Sequence, residues 1–92
     1  MIITFKHKDL RAYFERGDAS KLTQSHLKRL HVVLTALNTA STIKAMNYPG
    51  LGLHPLKGDK KNFWSVRING GWRLIFQFEG GNAFDVDYIN YH

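Results

Sequence analysis

The stretch of sequence that decides the fold is WSVRINGGWRLIFQFEGGNAFDVDY, residues 64–88. Apolar residues alternate with other side chains along three runs, and glycine-containing stretches at 69–71 and 79–82 separate the runs. An alternation of period two is typical of strands, because successive side chains point to opposite faces. The stretch therefore predicts a three-stranded antiparallel meander with one buried, aromatic face. The residues expected on that face are Trp64, Val66, Ile68, Trp72, Leu74, Phe76, Phe78, Phe84, Val86 and Tyr88.

The register of the first hairpin follows from the same alternation. A two-residue turn at 69–70 would place Arg67 opposite Trp72 and divide the apolar residues between both faces. A three-residue loop at 69–71 keeps one continuous core, so we expect the longer loop. Arg67 then lies opposite Arg73 on the other face. Like charges directly opposite each other destabilise a sheet, so an anion bound there would relieve the repulsion.

The same parity applied to the second hairpin aligns Gln77 with Asp85 and Arg73 with Ile89. Tyr91, two residues further along the last strand, is then expected on the face that carries the arginines. The predicted sheet thus has an apolar face and an opposite face on which cationic and aromatic side chains meet.

The residues before the meander predict a brief β-prone start and two helices. Asp9 can cap the first helix, Gly17 ends it, and Thr23 or Ser25 begins a longer second helix. The apolar residues at helical spacing are Leu10, Tyr13 and Phe14 in the first helix and Leu27, Leu30, Val33 or Leu34, and Leu37 in the second. Helices followed by strands indicate the α+β class.

Size and composition exclude several classes of protein. The 92 residues are enough for one domain, 1–92, and the chain has no cysteine. A disulfide framework, a thiolate metal site and a thiol nucleophile are therefore excluded. The longest uncharged run, 32–43, is too short and too polar to span a bilayer, and no signal peptide is evident. We expect a soluble, cytoplasmic protein without contact to a membrane.

The net charge of +6 is unevenly distributed. Residues 1–61 carry eleven Lys/Arg against four Asp/Glu, whereas residues 62–92 carry two against three. A basic small domain attracts polyanions, of which nucleic acid and the ribosome come first.

The outer face and its flanking segments collect residues suited to RNA cleavage. Cleavage of RNA by its own 2′-hydroxyl needs a group that accepts the proton, cations for the phosphorane and a donor for the leaving oxygen. The candidates for these tasks are His54, Lys57, Arg67, Arg73, Tyr91 and His92. Asp59, Asp85 and Asp87 lack a ligand spacing with histidine, so we expect neither a metal site nor a cofactor.

Several motifs resemble the HigB group of the RelE/ParE toxin superfamily over the whole length of the chain. The matching stretches are FKHK (5–8), LHPLKGD (53–59), WSVR (64–67), WRLIFQF (72–78), DY (87–88) and the terminal YH (91–92). The resemblance implies a RelE-like fold, in which two N-terminal helices pack on a twisted, mostly antiparallel sheet. It further implies a type II toxin that cleaves mRNA in the ribosomal A site. Its expected partner is a HigA-like helix-turn-helix antitoxin, with operator DNA bound only through the toxin–antitoxin complex.

The residues of the family's site carry over by motif position. The resemblance implies catalytic roles for His54, Lys57, Arg73, Tyr91 and His92. The residues expected to contact RNA are Arg67, Lys60, Lys61 and Asn90. Asn90 departs from the group, in which an acidic residue often precedes the final Tyr-His, and an amide cannot accept a proton at neutral pH.

Each candidate also has a purely structural interpretation. His54 could cap a loop, Arg73 could pair with its diagonal neighbour Asp87, and the last two residues could fray. Two other functions stay open, a ParE-like toxin directed at gyrase and a non-catalytic nucleic-acid-binding module. The presence of His54, Lys57, Tyr91 and His92 together favours the nuclease.

Overall fold

The chain, described here from a computed structural model over residues 1–90, has an α+β architecture. The helices and strands are α1 (Lys8–Arg16), α2 (Leu27–Thr39), β1 (His54–Pro55), β2 (Trp64–Asn69), β3 (Trp72–Glu79) and β4 (Asn82–Asn90). The strands form one antiparallel sheet in the order β1-β2-β3-β4. No helix in this part of the chain has the length and apolar character needed to cross a bilayer. The predicted fold class is confirmed, and β1 is a strand that the alternation did not predict.

Helix α1 begins two residues earlier than its sequence suggests. The capping residue is His7, whose Nδ1 accepts a hydrogen bond from the backbone N–H of Leu10 at 3.1 Å. The prediction of Asp9 as the cap was wrong, because Asp9 lies inside the first turn. Its carboxylate is stabilised there by the positive end of the helix dipole. The predicted end at Gly17 is confirmed, because this residue adopts φ +70° and closes the helix.

Helix α2 contributes most of the helical residues of the core. A 3₁₀ turn at Gln24–His26 precedes it, and Thr23 flanks this turn without a side-chain capping bond. The buried stripe of α2 lies against the apolar face of the sheet, here called the inner face. The core residues of α2 and the sheet are Leu30, Val33, Leu34, Leu37, Val66, Ile68, Leu74, Phe76, Ala83, Val86 and Tyr88.

The core also encloses one polar pair. His26 and Tyr88 are both buried and share a hydrogen bond between Nδ1 and the phenol oxygen. Trp72 stacks on Tyr88 with the ring centroids 4.7 Å apart. Burial raises the pKa of Tyr88 from 10 to about 12, so the phenol is neutral at physiological pH.

The first hairpin has the predicted register but a shorter turn. Arg67 pairs with Arg73 as expected, whereas Asn69 pairs with Trp72, so the turn contains two residues. The additional residue is absorbed by a bulge at Ile68, which stays buried. The three-residue loop was therefore wrong, because a bulge preserves the inner face equally well.

The second hairpin contains a bulge that the alternation could not show. Gln77 pairs with Phe84 and not with Asp85, which has φ +52°. Aspartate tolerates this left-handed conformation better than most residues. Beyond the bulge the alternation is shifted, so Ala83 is buried in the core and Phe84 is only half-buried. The predictions for Phe84 and for the Gln77–Asp85 alignment were wrong.

Candidate active site on the outer face of the sheet

The register brings three of the predicted residues to the face opposite the core, here called the outer face. His54 pairs with Ser65 across β1 and β2, and Arg67 follows Ser65 by two residues. Arg67 in turn pairs with Arg73 across β2 and β3. Side chains two apart on one strand, and paired side chains on neighbouring strands about 4.8 Å apart, share a face. His54, Arg67 and Arg73 therefore form one cluster.

The hydrogen bond of His54 determines which of its nitrogens can act as a base. Its Nδ1 lies 2.9 Å from the carbonyl oxygen of Gly52. Because a carbonyl oxygen can only accept, Nδ1 carries the proton and Nε2 keeps its lone pair in the neutral ring. The residue is exposed, so a loop-capping contact and proton transfer are compatible roles.

The arginine pair has no acidic partner among the residues that the structure describes. Within residues 1–90 the single ion pair joins Arg11 and Glu15, on helix α1. The carboxylate of Asp87 accepts a hydrogen bond from the backbone N–H of Tyr88 at 2.9 Å and does not pair with Arg73. Two guanidinium groups on neighbouring strands therefore generate a positive potential that favours a bound anion.

The predicted lysines lie in the loop between β1 and β2. The backbone hydrogen bond from Leu56 to Phe63, 2.9 Å long, closes this loop next to the outer face. Lys57 and Lys61 are exposed, whereas Lys60 holds its ammonium group 5.7 Å from the centre of the Phe63 ring. The loop between β1 and β2 therefore carries two exposed lysines and a third whose ammonium group lies over an aromatic ring.

The last two residues of β4, Ile89 and Asn90, pair with the first two residues of β3. Asn90 pairs with Trp72, whereas Ile89 pairs with Arg73. Since neighbouring residues of a strand point to opposite faces, Asn90 lies on the side of Trp72 and not on that of the arginines. Tyr91 and His92 lie outside the described residues, and their roles stay predictions.

A comparison with a protein-family model shows to which family the chain belongs. The model for RelE-like toxins of the type II toxin–antitoxin system HigB matches residues 3–92. The chain belongs to this HigB-like toxin family. It is therefore a toxin of a type II system, which implies an antitoxin as its partner. The resemblance inferred from the sequence motifs is confirmed.

Two HigB relatives match the chain along its entire length. Endoribonuclease HigB of Proteus vulgaris is 40% identical over 92 residues and covers 100% of both chains. Toxin HigB-1 of Vibrio cholerae is 30% identical over 96 residues, covering 100% of this chain and 98% of the relative.

Solved structures share the fold of this HigB-like toxin at low sequence identity. YafQ from Escherichia coli superposes with a TM-score of 0.59 at 17% identity, over 98% of this chain and 91% of YafQ. A conserved hypothetical protein of Helicobacter pylori gives a TM-score of 0.51 at 18% identity, over 96% and 94% of the two chains. These likenesses support the architecture.

Sequence reasoning missed two residues beside the cluster of this HigB-like toxin. Ser65 is fully buried between His54 and Ile75, and its hydroxyl has no hydrogen-bond partner within the described part of the chain. Arg29, in the first turn of α2, is half-buried and donates to the carbonyl oxygens of Gly50 and Arg67. No local signal could reveal these contacts, because the partners of Arg29 lie 21 and 38 residues away.

Proposed function

We propose that this HigB-like toxin is an endoribonuclease that cleaves mRNA in the ribosomal A site, and that it works in the cytoplasm. The observation that carries the proposal is an arginine pair without an acidic partner in residues 1–90, beside a histidine whose Nε2 is available as a base. The 40% identity with Endoribonuclease HigB, over the whole of both chains, supports the same activity.

The chemistry follows from the side chains of the cluster. His54 Nε2 takes the proton of the 2′-hydroxyl, whose oxygen attacks the adjacent phosphorus. Arg73 and Arg67 stabilise the negative charge that develops on the phosphorane oxygens. The bond to the 5′-oxygen breaks, that oxygen gains a proton, and the products carry a 2′,3′-cyclic phosphate and a 5′-hydroxyl. No step of this sequence requires a metal ion.

The remaining predicted residues have supporting roles in the proposal. Lys57 and Lys61 attract and hold the RNA phosphates, since exposed cations supply the salt-dependent part of nucleic-acid binding. His92 is proposed to protonate the leaving oxygen, because histidine is the side chain best suited to exchange a proton near neutral pH. Tyr91 is proposed to orient the target base by stacking.

The ribosome has a physical task in this mechanism. A few cationic side chains bind RNA at any position, whereas cleavage requires the 2′-oxygen, the phosphorus and the 5′-oxygen to lie in line. An mRNA held in the A site is already ordered, which removes the entropic cost of that alignment. We further propose that the antitoxin is a HigA-like helix-turn-helix protein, and that only the complex of the two binds operator DNA.

Expression in a bacterial host distinguishes the proposal from its alternatives. Induction of the wild-type chain should arrest growth and produce new mRNA 5′ ends within translated codons, mapped by primer extension. The control is His54→Ala, expressed to the same level, which should give neither effect. Intact mRNA together with DNA breaks would favour a gyrase-directed toxin. Growth arrest without any cleavage would favour a non-catalytic nucleic-acid-binding module.

A further inference from the structure

Arg29 connects helix α2 to the segment that immediately precedes His54. It lies in the first turn of α2, where its Nη2 donates to the carbonyl oxygen of Gly50 at 2.9 Å. Its Nε points to the carbonyl oxygen of Arg67 at 3.4 Å. One guanidinium group thus bridges the segment before β1 and the middle of β2.

The bridged segment has little structure of its own. Residues 47–53 form neither helix nor strand, and Gly50 and Gly52 have φ of +87° and +61°. Because glycine can adopt many other backbone conformations, these two residues do not by themselves fix the path of the segment. One backbone bond, from Arg67 N–H to the carbonyl oxygen of Leu51 at 2.7 Å, attaches the segment to β2. Arg29 adds the second attachment at the same junction.

The same junction also holds two residues of the proposed active site. The carbonyl oxygen of Gly52 accepts the Nδ1–H of His54 at 2.9 Å. The Nη2 of Arg67 lies 3.9 Å from the point that a β-carbon on Gly52 would occupy. Gly52 therefore holds the imidazole of His54 by a hydrogen bond and lies next to the guanidinium of Arg67.

We propose that Arg29 is a positioning residue of the ribonuclease site, an inference that rests on the proposed function. Its two donors hold the 50–52 segment against β2, and the segment holds the imidazole of His54 in the tautomer that leaves Nε2 unprotonated. Arginine suits this task because its donors are arranged in a rigid, planar fork. A lysine would keep the charge but concentrate its donors on one freely rotating nitrogen.

Single-turnover cleavage of ribosome-bound mRNA tests this assignment. The variants are Arg29→Met, which removes both the planar set of N–H donors and the positive charge, and Arg29→Lys, which keeps the charge and removes the planar set of donors. The control is Lys28→Met, the neighbouring exposed residue with the same loss of charge. We expect both Arg29 variants to cleave at least about 10-fold more slowly at saturating toxin, as misplaced catalytic groups do. The toxin concentration at half-saturation should change no more than in Lys28→Met.

The tautomer of His54 gives a second readout that does not depend on RNA. Long-range ¹H–¹⁵N spectra, recorded at pH about 8 where the free imidazole is neutral, should show protonated Nδ1 in the wild type and in Lys28→Met. Both Arg29 variants should show a mixture of tautomers. Slower cleavage with an unchanged tautomer, or rates equal to that of the control, would overturn the assignment. A wild type that does not cleave mRNA would refute the proposed function, while the spectra would still test the positioning.

Discussion

At the scale of single residues, Arg67 and Arg73 differ in their exposure although they face each other across the sheet. Arg67 is exposed, whereas Arg73 is half-buried in the middle of the outer face. A charge that is partly shielded from water interacts more strongly with a nearby anion. The two arginines should therefore contribute differently to catalysis and to binding.

Arg73→Ala should lower the rate of mRNA cleavage by about 100- to 1000-fold, as expected for a donor that stabilises the transition state. Arg67→Ala should cost less, mainly in affinity for the RNA, and should reduce the salt dependence of binding by about one counterion. The measurements are cleavage rates and binding at several salt concentrations. Equal losses of stability in both variants, with unchanged activity per folded molecule, would show that the pair is only structural.

Ser65 provides a test of stability on the same face. Its hydroxyl is fully buried without a partner in residues 1–90, and leaving a buried polar group unpaired costs about 1–3 kcal/mol. Ser65→Ala should therefore raise the free energy of unfolding by about 1 kcal/mol and Tm by roughly 4–8 °C. The control is Ser20→Ala, which removes a hydroxyl that donates to Asp18 at 2.7 Å and should not stabilise. A lower Tm for Ser65→Ala would contradict the unpaired state.

At the scale of elements, the alternation of apolar residues predicted strands β2 to β4 and most of their pairing. A register shift of one residue would move the apolar side chains to the outer face, so the pattern restricts the register. It could not predict the bulges at Ile68 and Asp85. A bulge adds one residue and shifts the alternation on its far side, so the residues there lie on the opposite faces from those that an unbroken pattern predicts. Ala83 is such a case, since the sequence offered the larger Phe84 as the core residue.

The contact between the 3₁₀ turn before α2 and strand β4 should make stability depend on alkaline pH. Burial raises the folded-state pKa of Tyr88 to about 12, above its usual 10. The contribution is fully present below pH 10 and is lost as pH rises from 10 through 12, because the unfolded chain releases the proton first. Urea midpoints measured from pH 8 to 12 should show this loss.

Tyr88→Phe should remove that loss between pH 10 and 12, and it should lower stability at neutral pH because His26 loses its hydrogen bond. Tyr48→Phe is the control, since Tyr48 is 46% exposed. If the urea midpoint of Tyr88→Phe fell between pH 10 and 12 as steeply as that of the wild type, the pH dependence could not be assigned to this phenol.

Strand β4 gives a further prediction about its end. Its last core residues are Val86 and Tyr88, so a chain ending at Asn90 should keep a near-native melting temperature. The same truncation removes Tyr91 and His92, and we expect it to abolish growth arrest and mRNA cleavage. Full toxicity of the truncated chain would exclude the terminal pair from the site and leave His54 as its principal proton-transfer group.

At the scale of the whole molecule, the sheet separates two tasks. Its inner face forms the core with α2, and its outer face presents His54, Arg67 and Arg73. Hairpin parity predicted that the two arginines lie opposite each other, and the structure confirms this pairing; the catalytic roles of the site residues stay predictions. The attachment of the 50–52 segment by Arg29 depends on how α2 packs against the sheet, which no local pattern encodes.

The central claim is that this outer face cleaves RNA ordered by the ribosome. The most direct measurement compares the initial cleavage rate of one mRNA, bound in programmed ribosomes with an empty A site or free in solution, at equal concentrations of purified toxin. The account predicts cleavage in the A-site codon at least about 100-fold faster on the ribosome than in solution, with 2′,3′-cyclic phosphate ends. Equal rates for the two substrates, or cleavage of free RNA that requires an added metal ion, would contradict it.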